Sequence, residues 1–346
     1  MRASLAQRLS LAQLAGQRII YAYSGRTPPE SLLARIRKGE AAGVIFFGPN
    51  ISSVAQIRSV IRELRHANAA SPVHEPLLMM TDQEGGLVRR LPGAPELSEK
   101  EIGESPEAFA LARQAGEGAG ENLAGVGMNV NLAPVLDVFR QPGNFIDEFQ
   151  RSYAMDPHLV AELGGTFISA QQSTGVAATA KHFPGLGAAE SSQNTDEGPV
   201  TLNLSLHDLR TVDELPYRTA IEAGVRLVMT SWAVYPALDP HLPAGLSPTV
   251  IEGELRGRLG FRGVTITDGI EAGALRGFGT AAQRGVLAAS AGADLLLCSA
   301  PHVEENSPAE GAAVLHGVTA ALEAGQLSRA SAEQAAARVI ALRSRS

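Results

Sequence analysis

A single cysteine in 346 residues, Cys298, leaves nothing for an internal disulfide and rules out a thiolate-rich metal site. It lies in the apolar run ADLLLCS and reads as a small buried hydrophobe, not a nucleophile. Aromatics are scarce, at 5%, so a chain with 45% hydrophobic residues must build its core from Ala, Val, Leu and Ile. A net charge of -7 with mixed signs provides no basic footprint, so neither nucleic acid nor a membrane surface is an expected partner. No apolar run reaches the ~18 residues of a membrane helix. No continuous apolar stretch follows the arginines at 2, 8 and 18, so the expected location is cytoplasmic. The eight histidines are scattered without ligand spacing, and no metal is expected. The dinucleotide-binding pattern G-x-G-x-x-G is missing as well: Gly43 to Gly48 does not qualify, and Gly185 to Gly187 lacks a third glycine and a following helix. No cofactor is expected, and a monomer is the default.

What the chain does have is a repeating alternation. Eight short, nearly continuous apolar runs read as strands buried on both faces: 18–23, 43–47, 77–81, 127–132, 176–181, 226–231, 263–267 and 293–298. Amphipathic helical patterns lie between most of them, at 29–40, 54–67, 106–123, 157–173, 206–223 and 280–291. Residues 5–14 read as one opening helix, and 308–346 as two Ala-rich helices on the outside. Alternating β and α elements argue for a parallel sheet, and eight units argue for a closed (β/α)8 TIM-type barrel. No composition break marks a linker, so residues 1–346 are read as a single α/β domain.

In such a barrel the active site lies at the C-terminal ends of the strands. The stretch AKHFPGLGAAESSQNTDEGP, from Ala180 to Pro199, places Lys181 and His182 at a strand end and then opens into a long polar loop. Alone, that pair also admits the lesser reading of a core histidine beside a snorkelling lysine. Other strand ends add Asn50, Asp82, Glu84, Arg89, Arg90, Asp137, Arg151 and Asp268, and Trp232 is placed to stack on a sugar-like face. Carboxylates interspersed with fixed cations suit a neutral, polyhydroxylated substrate, because each hydroxyl donates to one and accepts from the other.

The runs TDQEGGLVRRL, NLAPVLDV, RSYAMDP, KHFPGLG and ITDGIEAGAL resemble the signature segments of glycoside hydrolase family 3, in its single-domain bacterial β-N-acetylhexosaminidase branch. They occur in the family's order across nearly the whole chain. The resemblance implies a retaining double displacement at terminal β-linked N-acetylglucosamine, with a peptidoglycan fragment as the physiological substrate. Matched by motif, Asp268 is the nucleophile, and Asp82, Arg90, Arg151, Lys181 and His182 hold the sugar. The branch's acid/base is an Asp-His pair in the loop after Lys181, and here that pair is missing. Simple counting puts Ser192 and Asn194 at its positions, and one inserted residue puts Gln193 and Thr195 there. A retaining mechanism still needs a second carboxyl. The loop offers Asp196, favoured because Asn194-Thr195-Asp196 forms a compact turn, with Glu190 and Glu197 as alternatives. Other readings are a sugar-binding homologue without catalysis, a β-glucosidase or phosphorylase variant, and an aldolase-type barrel with Lys181 as a Schiff-base lysine.

Overall fold

The computed structural model describes residues 2–299 and 308–345. All eight predicted strands form: β1 (Ile19–Tyr21), β2 (Gly43–Ile45), β3 (Leu78–Thr81), β4 (Val130–Asn131), β5 (Thr179–Phe183), β6 (Leu227–Thr230), β7 (Val264–Gly269) and β8 (Leu295–Cys298). Neighbours pair in parallel around the series, and β1 pairs with β8 through Ile19 opposite Leu296. Parallel bridges from Val130 to Ala177 and from Val135 to Lys181 close the gap between β4 and β5. The eight-stranded barrel expected from the β/α alternation is therefore present.

Its interior follows from the two-residue period of a strand. Leu78 and Met80 of β3, Ala177 ahead of β5, and Val264 and Ile266 of β7 all belong to the inner cluster. Each series, continued by twos, ends in a charge: Asp82, Lys181 and Asp268. The even strands contribute Ile45, Leu132, Met229 and Leu297 at the level below the mouth. Two larger clusters, rich in Ala, Val, Leu and Ile, fill the space between strands and helices.

The predicted helices form with two revisions. The single opening helix is two, Arg2–Arg8 and Leu11–Gly16, because Ser10 caps the second in a reciprocal box with Gln13. The segment 206–223 is broken into Leu206–Asp208, a π-helical turn Leu209–Asp213 and Leu215–Glu222, with Pro216 unable to continue a ladder from behind. A further helix, Thr249–Arg258, follows β6. Its Gly253 and Gly257 dilute helical propensity, which hides it in the sequence. The outer helices Pro308–Glu323 and Arg329–Arg343 close the C-terminal part. Val339 and Leu342 of the last helix enter the inner cluster and plug the N-terminal end of the barrel. Among the described residues, no helix is long and apolar enough to cross a membrane.

Candidate active site

The C-terminal end of the barrel is open. A cavity of about 320 Å³ lies there, and its lining includes Asp82, Arg90, Arg151, Lys181, His182, Asp196 and Asp268. Residues from five separate stretches thus converge on one space, although Asp82 and Asp268 stand far apart in the chain.

Lys181 is the hub of the charged wall. Its Nζ lies 2.8 Å from Asp82 Oδ1 and 2.7 Å from Glu84 Oε1. Arg151 grips Glu84 with two parallel hydrogen bonds, Nε to Oε2 at 2.9 Å and Nη2 to Oε1 at 2.8 Å. Burial alone would raise the Glu84 carboxyl, but Arg151 and Lys181 together outweigh it and hold it at about 2. Burial likewise opposes ionisation of Asp82, and Lys181, then Arg90, keep its carboxyl below the usual range. For Lys181 the balance runs the same way. Burial works to lower its pKa, but Asp82 and Glu84 outweigh that effect and raise it. Lys181 therefore stays an ammonium, the opposite of what an amine nucleophile needs. The aldolase reading has no support in this geometry.

His182 is fixed from behind. Its Nδ1 lies 2.8 Å from Oδ2 of the buried Asp137, which also accepts from the Leu186 N–H at 2.7 Å. With Nδ1–H donated backwards, Nε2 is left for the cavity. Arg90, just after the hairpin Gln83–Gly85/Val88–Arg89, has a buried Nε with no partner among the described residues, a donor available to a bound hydroxyl.

Two cavity carboxyls stand apart from this network. Asp268, half-buried at the end of β7, accepts from the N–H of Gly269 at 2.7 Å and forms no ion pair among the described residues. Asp196 is exposed on the long loop, and its side chain lines the cavity. Desolvation first, and the Asp268 charge second, push its carboxyl up to about 6. A neighbouring pair with one member biased toward the protonated form is the pattern of an acid/base beside a nucleophile.

Other sequence candidates fall elsewhere. Trp232 does not reach the cavity. It is 1% exposed, and its Nε1 donates to the Gly269 carbonyl at 2.8 Å. The pleat explains the correction: Leu227 and Met229 face the barrel interior, so Trp232 has the opposite parity and packs outward. It braces the residue after Asp268 instead of stacking on a ligand. Glu190 and Glu197 are exposed and do not line the cavity. Asn50 is buried and donates to the carbonyls of Tyr23 and Gly25, while Arg89 donates to the Gly93 carbonyl.

Glu84, named among the strand-end charges, pairs with Lys181 and Arg151 behind the cavity wall. The sequence reading missed three contributors. Phe145 and Phe149 line the cavity from the loop after β4 and meet edge to face at 6.0 Å. Asn194 lines it beside Asp196 and accepts the Asp196 N–H at 2.9 Å. Nothing in composition or period marks these loop residues. Among the described residues, no three His, Cys, Asp or Glu side chains converge as metal ligands.

The sequence profile of the Glycosyl hydrolase family 3 N terminal domain matches residues 9–342. A protein of Arthroderma benhamiae named as an uncharacterized secreted glycosyl hydrolase is 47% identical over 339 residues, covering 97% of this chain and 94% of that protein. The comparisons give the cytoplasmic expectation no support. A solved glycoside hydrolase family 3 β-N-acetylglucosaminidase from Paenibacillus is 35% identical, with a TM-score of 0.88. The match covers 97% of this chain and only 62% of the Paenibacillus one, so the present chain spans less than two thirds of that protein. The β-N-acetylhexosaminidase of Beutenbergia cavernae is 32% identical with a TM-score of 0.86, and the match covers 97% of this chain and 98% of that one.

Proposed function

A chain matched by that profile from residue 9 to 342 belongs to glycosyl hydrolase family 3, and on that premise we propose that it is a retaining β-N-acetylhexosaminidase acting on terminal β-linked N-acetylglucosamine. The observation that carries the proposal is the division among the carboxyls at the barrel mouth. Asp82 and Glu84 are neutralised by Lys181 and Arg151, whereas Asp268 and Asp196 form no ion pair among the described residues and face one another's charge.

In this reading Asp82, Arg90, Arg151, Lys181 and His182 hold the sugar hydroxyls. The Asp268 carboxylate attacks the anomeric carbon as Asp196 delivers its proton to the departing glycosidic oxygen. The bond to the leaving group breaks and an ester to Asp268 forms. Asp196, now a carboxylate, takes a proton from water. That water attacks the same carbon, releases the sugar and restores Asp268. A carboxyl raised to about 6 suits both tasks near neutrality, because it is partly protonated for the first step and partly ionised for the second. Asp196 thus takes the place of the branch's missing Asp-His pair. We read residues 1–346 as one barrel domain that acts as a monomer.

The test is a panel of aryl β-glycosides followed by mechanism-based labelling. Turnover of the N-acetylglucosaminide, with a 2-fluoro glycoside trapped on Asp268, is the expected result. Labelling of another carboxylate would remove Asp268 from its role. No turnover even on dinitrophenyl glycosides would leave only a sugar-binding protein.

A further inference from the structure

We infer that Gly273 is a positioning residue for this reaction: by admitting backbone against backbone, it fixes the reach between Asp196 and Asp268. The inference rests on the acid/base reading of Asp196. It adds a residue that does not itself touch substrate.

The loop after β5 meets the loop after β7 through main-chain atoms. The Gly273 N–H donates to the Asp196 carbonyl at 2.8 Å, and the Ala274 N–H donates to the Thr195 carbonyl at 2.9 Å. Gly273 and Ala274 begin the 3-10 helix Gly273–Phe278, and the first N–H groups of a helix have no partner inside it. The Asp196 loop supplies the missing acceptors. Thr195 is buried at 4% exposure, while the Asp196 side chain projects from this anchored backbone. A carboxyl free at its tip and fixed at its base is what proton delivery to a defined oxygen requires.

The glycine is needed for space. A Cβ at position 273 would lie 2.4 Å from the carbonyl carbon and oxygen of Glu197 and 2.6 Å from the Asp196 carbonyl oxygen. These are backbone atoms with no rotamer to escape into, so the whole Asp196 loop would have to move outward. Gly277, on the same short helix, has open space where its Cβ would be. Because Asp268 lies five residues before Gly273, this contact ties the acid/base to the nucleophile's own loop.

The experiment compares Gly273→Ala with Gly277→Ala on two substrates, an N-acetylglucosamine β-disaccharide and a dinitrophenyl β-N-acetylglucosaminide. A displacement of about 1 Å costs up to roughly a hundredfold in a positioned reaction, so Gly273→Ala should lose ten- to a hundredfold on the disaccharide. It should change little on the activated substrate, and Gly277→Ala should match wild type on both. Gly273→Ala combined with Asp196→Asn should be no slower on the disaccharide than Asp196→Asn alone. Equal losses on both substrates, or full additivity in the double variant, would overturn the inference. If Gly273→Ala does not fold, Ala274→Pro, which replaces the N–H donor to Thr195 with a ring carbon, should show the same split; an even loss there overturns it equally. Failure of the underlying reading is recognised separately, as an Asp196→Asn loss that is the same on both substrates. The docking then stands or falls on wild-type amide exchange, which should be slow at Gly273 and Ala274; fast exchange at both defeats it.

Discussion

At the N-terminal end of the barrel, Asp294 accepts from Arg256 Nη2 at 2.7 Å and from the Thr265 N–H at 2.9 Å, and its other oxygen accepts from Arg338 Nε at 2.9 Å. At the C-terminal end, Asp268 accepts, among the described residues, only from the neighbouring Gly269 N–H. Both are aspartates at the ends of adjacent strands. The first sits under the last helix, where Arg343 is wholly buried and donates to the Pro76 and Glu75 carbonyls at 2.7 Å each. The second opens on the cavity. The contrast shows that a buried charge says little until its partners are counted. A surrounded carboxylate is committed to the fold, and an unpaired one remains free for chemistry.

The largest effect expected from this contrast is on catalysis. In the proposed mechanism Asp268→Ala removes the group that forms the ester, and losses on the order of 10⁴-fold or more are then expected. The melting temperature should not fall, since no cation is left unpaired. A variant that loses its stability along with its activity would erase the distinction between the two ends.

Asp294→Ala is the converse. It strands the buried Arg256 and takes a partner from the part-exposed Arg338, and breaking a buried pair in this way costs about 3–5 kcal/mol. Denaturant unfolding should register that loss, while kcat/KM measured below the transition stays at the wild-type value. A selective fall in kcat/KM would mean that the bottom network reaches the mouth.

The third effect depends on pH and isolates Asp196 from the paired carboxyls. Its raised pKa, about 6, means that the acid form is lost as pH rises through that value. For a substrate with a poor leaving group, kcat/KM should therefore decline about tenfold per pH unit above it. A dinitrophenyl glycoside needs no proton and should show no such limb, and Asp196→Asn should abolish the limb on the disaccharide. Glu84, held at about 2, is ionised throughout that range and contributes nothing to the slope. A limb that survives in Asp196→Asn would assign the titration to another group.

Much of this was legible in the sequence because it depends on period. Strand positions alternate strictly, so the apolar runs announced the barrel, and their continuation by twos carried Asp82, Lys181 and Asp268 to the mouth. Strand-end position without parity misled at Trp232, one residue out of phase with Met229. Loops have no period. That Asp196 faces the cavity while Glu190 and Glu197 do not follows from backbone docking at Gly273, and no local pattern encodes a contact between residues so far apart. The helix Thr249–Arg258 escaped for a related reason, since its glycines weaken the propensity that tertiary packing then overrides.

The smallest effect concerns two aromatics, Trp232, first assigned to stack on the substrate, and Phe149, which lines the cavity in its stead. Trp232 is buried and bonded to the Gly269 carbonyl, whereas Phe149 is 44% exposed, lines the cavity and is backed by Phe145. An aromatic left half in water beside a sugar site has a free face on which the apolar C–H side of a bound residue can pack. Such a contact is worth about 1 kcal/mol, or roughly fivefold. It forms in the ground state and persists in the transition state, so Phe149→Ala should raise KM about fivefold and leave kcat unchanged. Phe149→Tyr, which keeps the face, should restore KM. Trp232→Phe should behave differently: it loses a buried hydrogen bond beneath the nucleophile, worth about 1 kcal/mol, and should lower the melting temperature. If Phe149→Ala leaves KM untouched on a disaccharide, the ring lies outside the reach of the substrate, and the wall above Asp268 must be sought on the Asn194 side of the cavity.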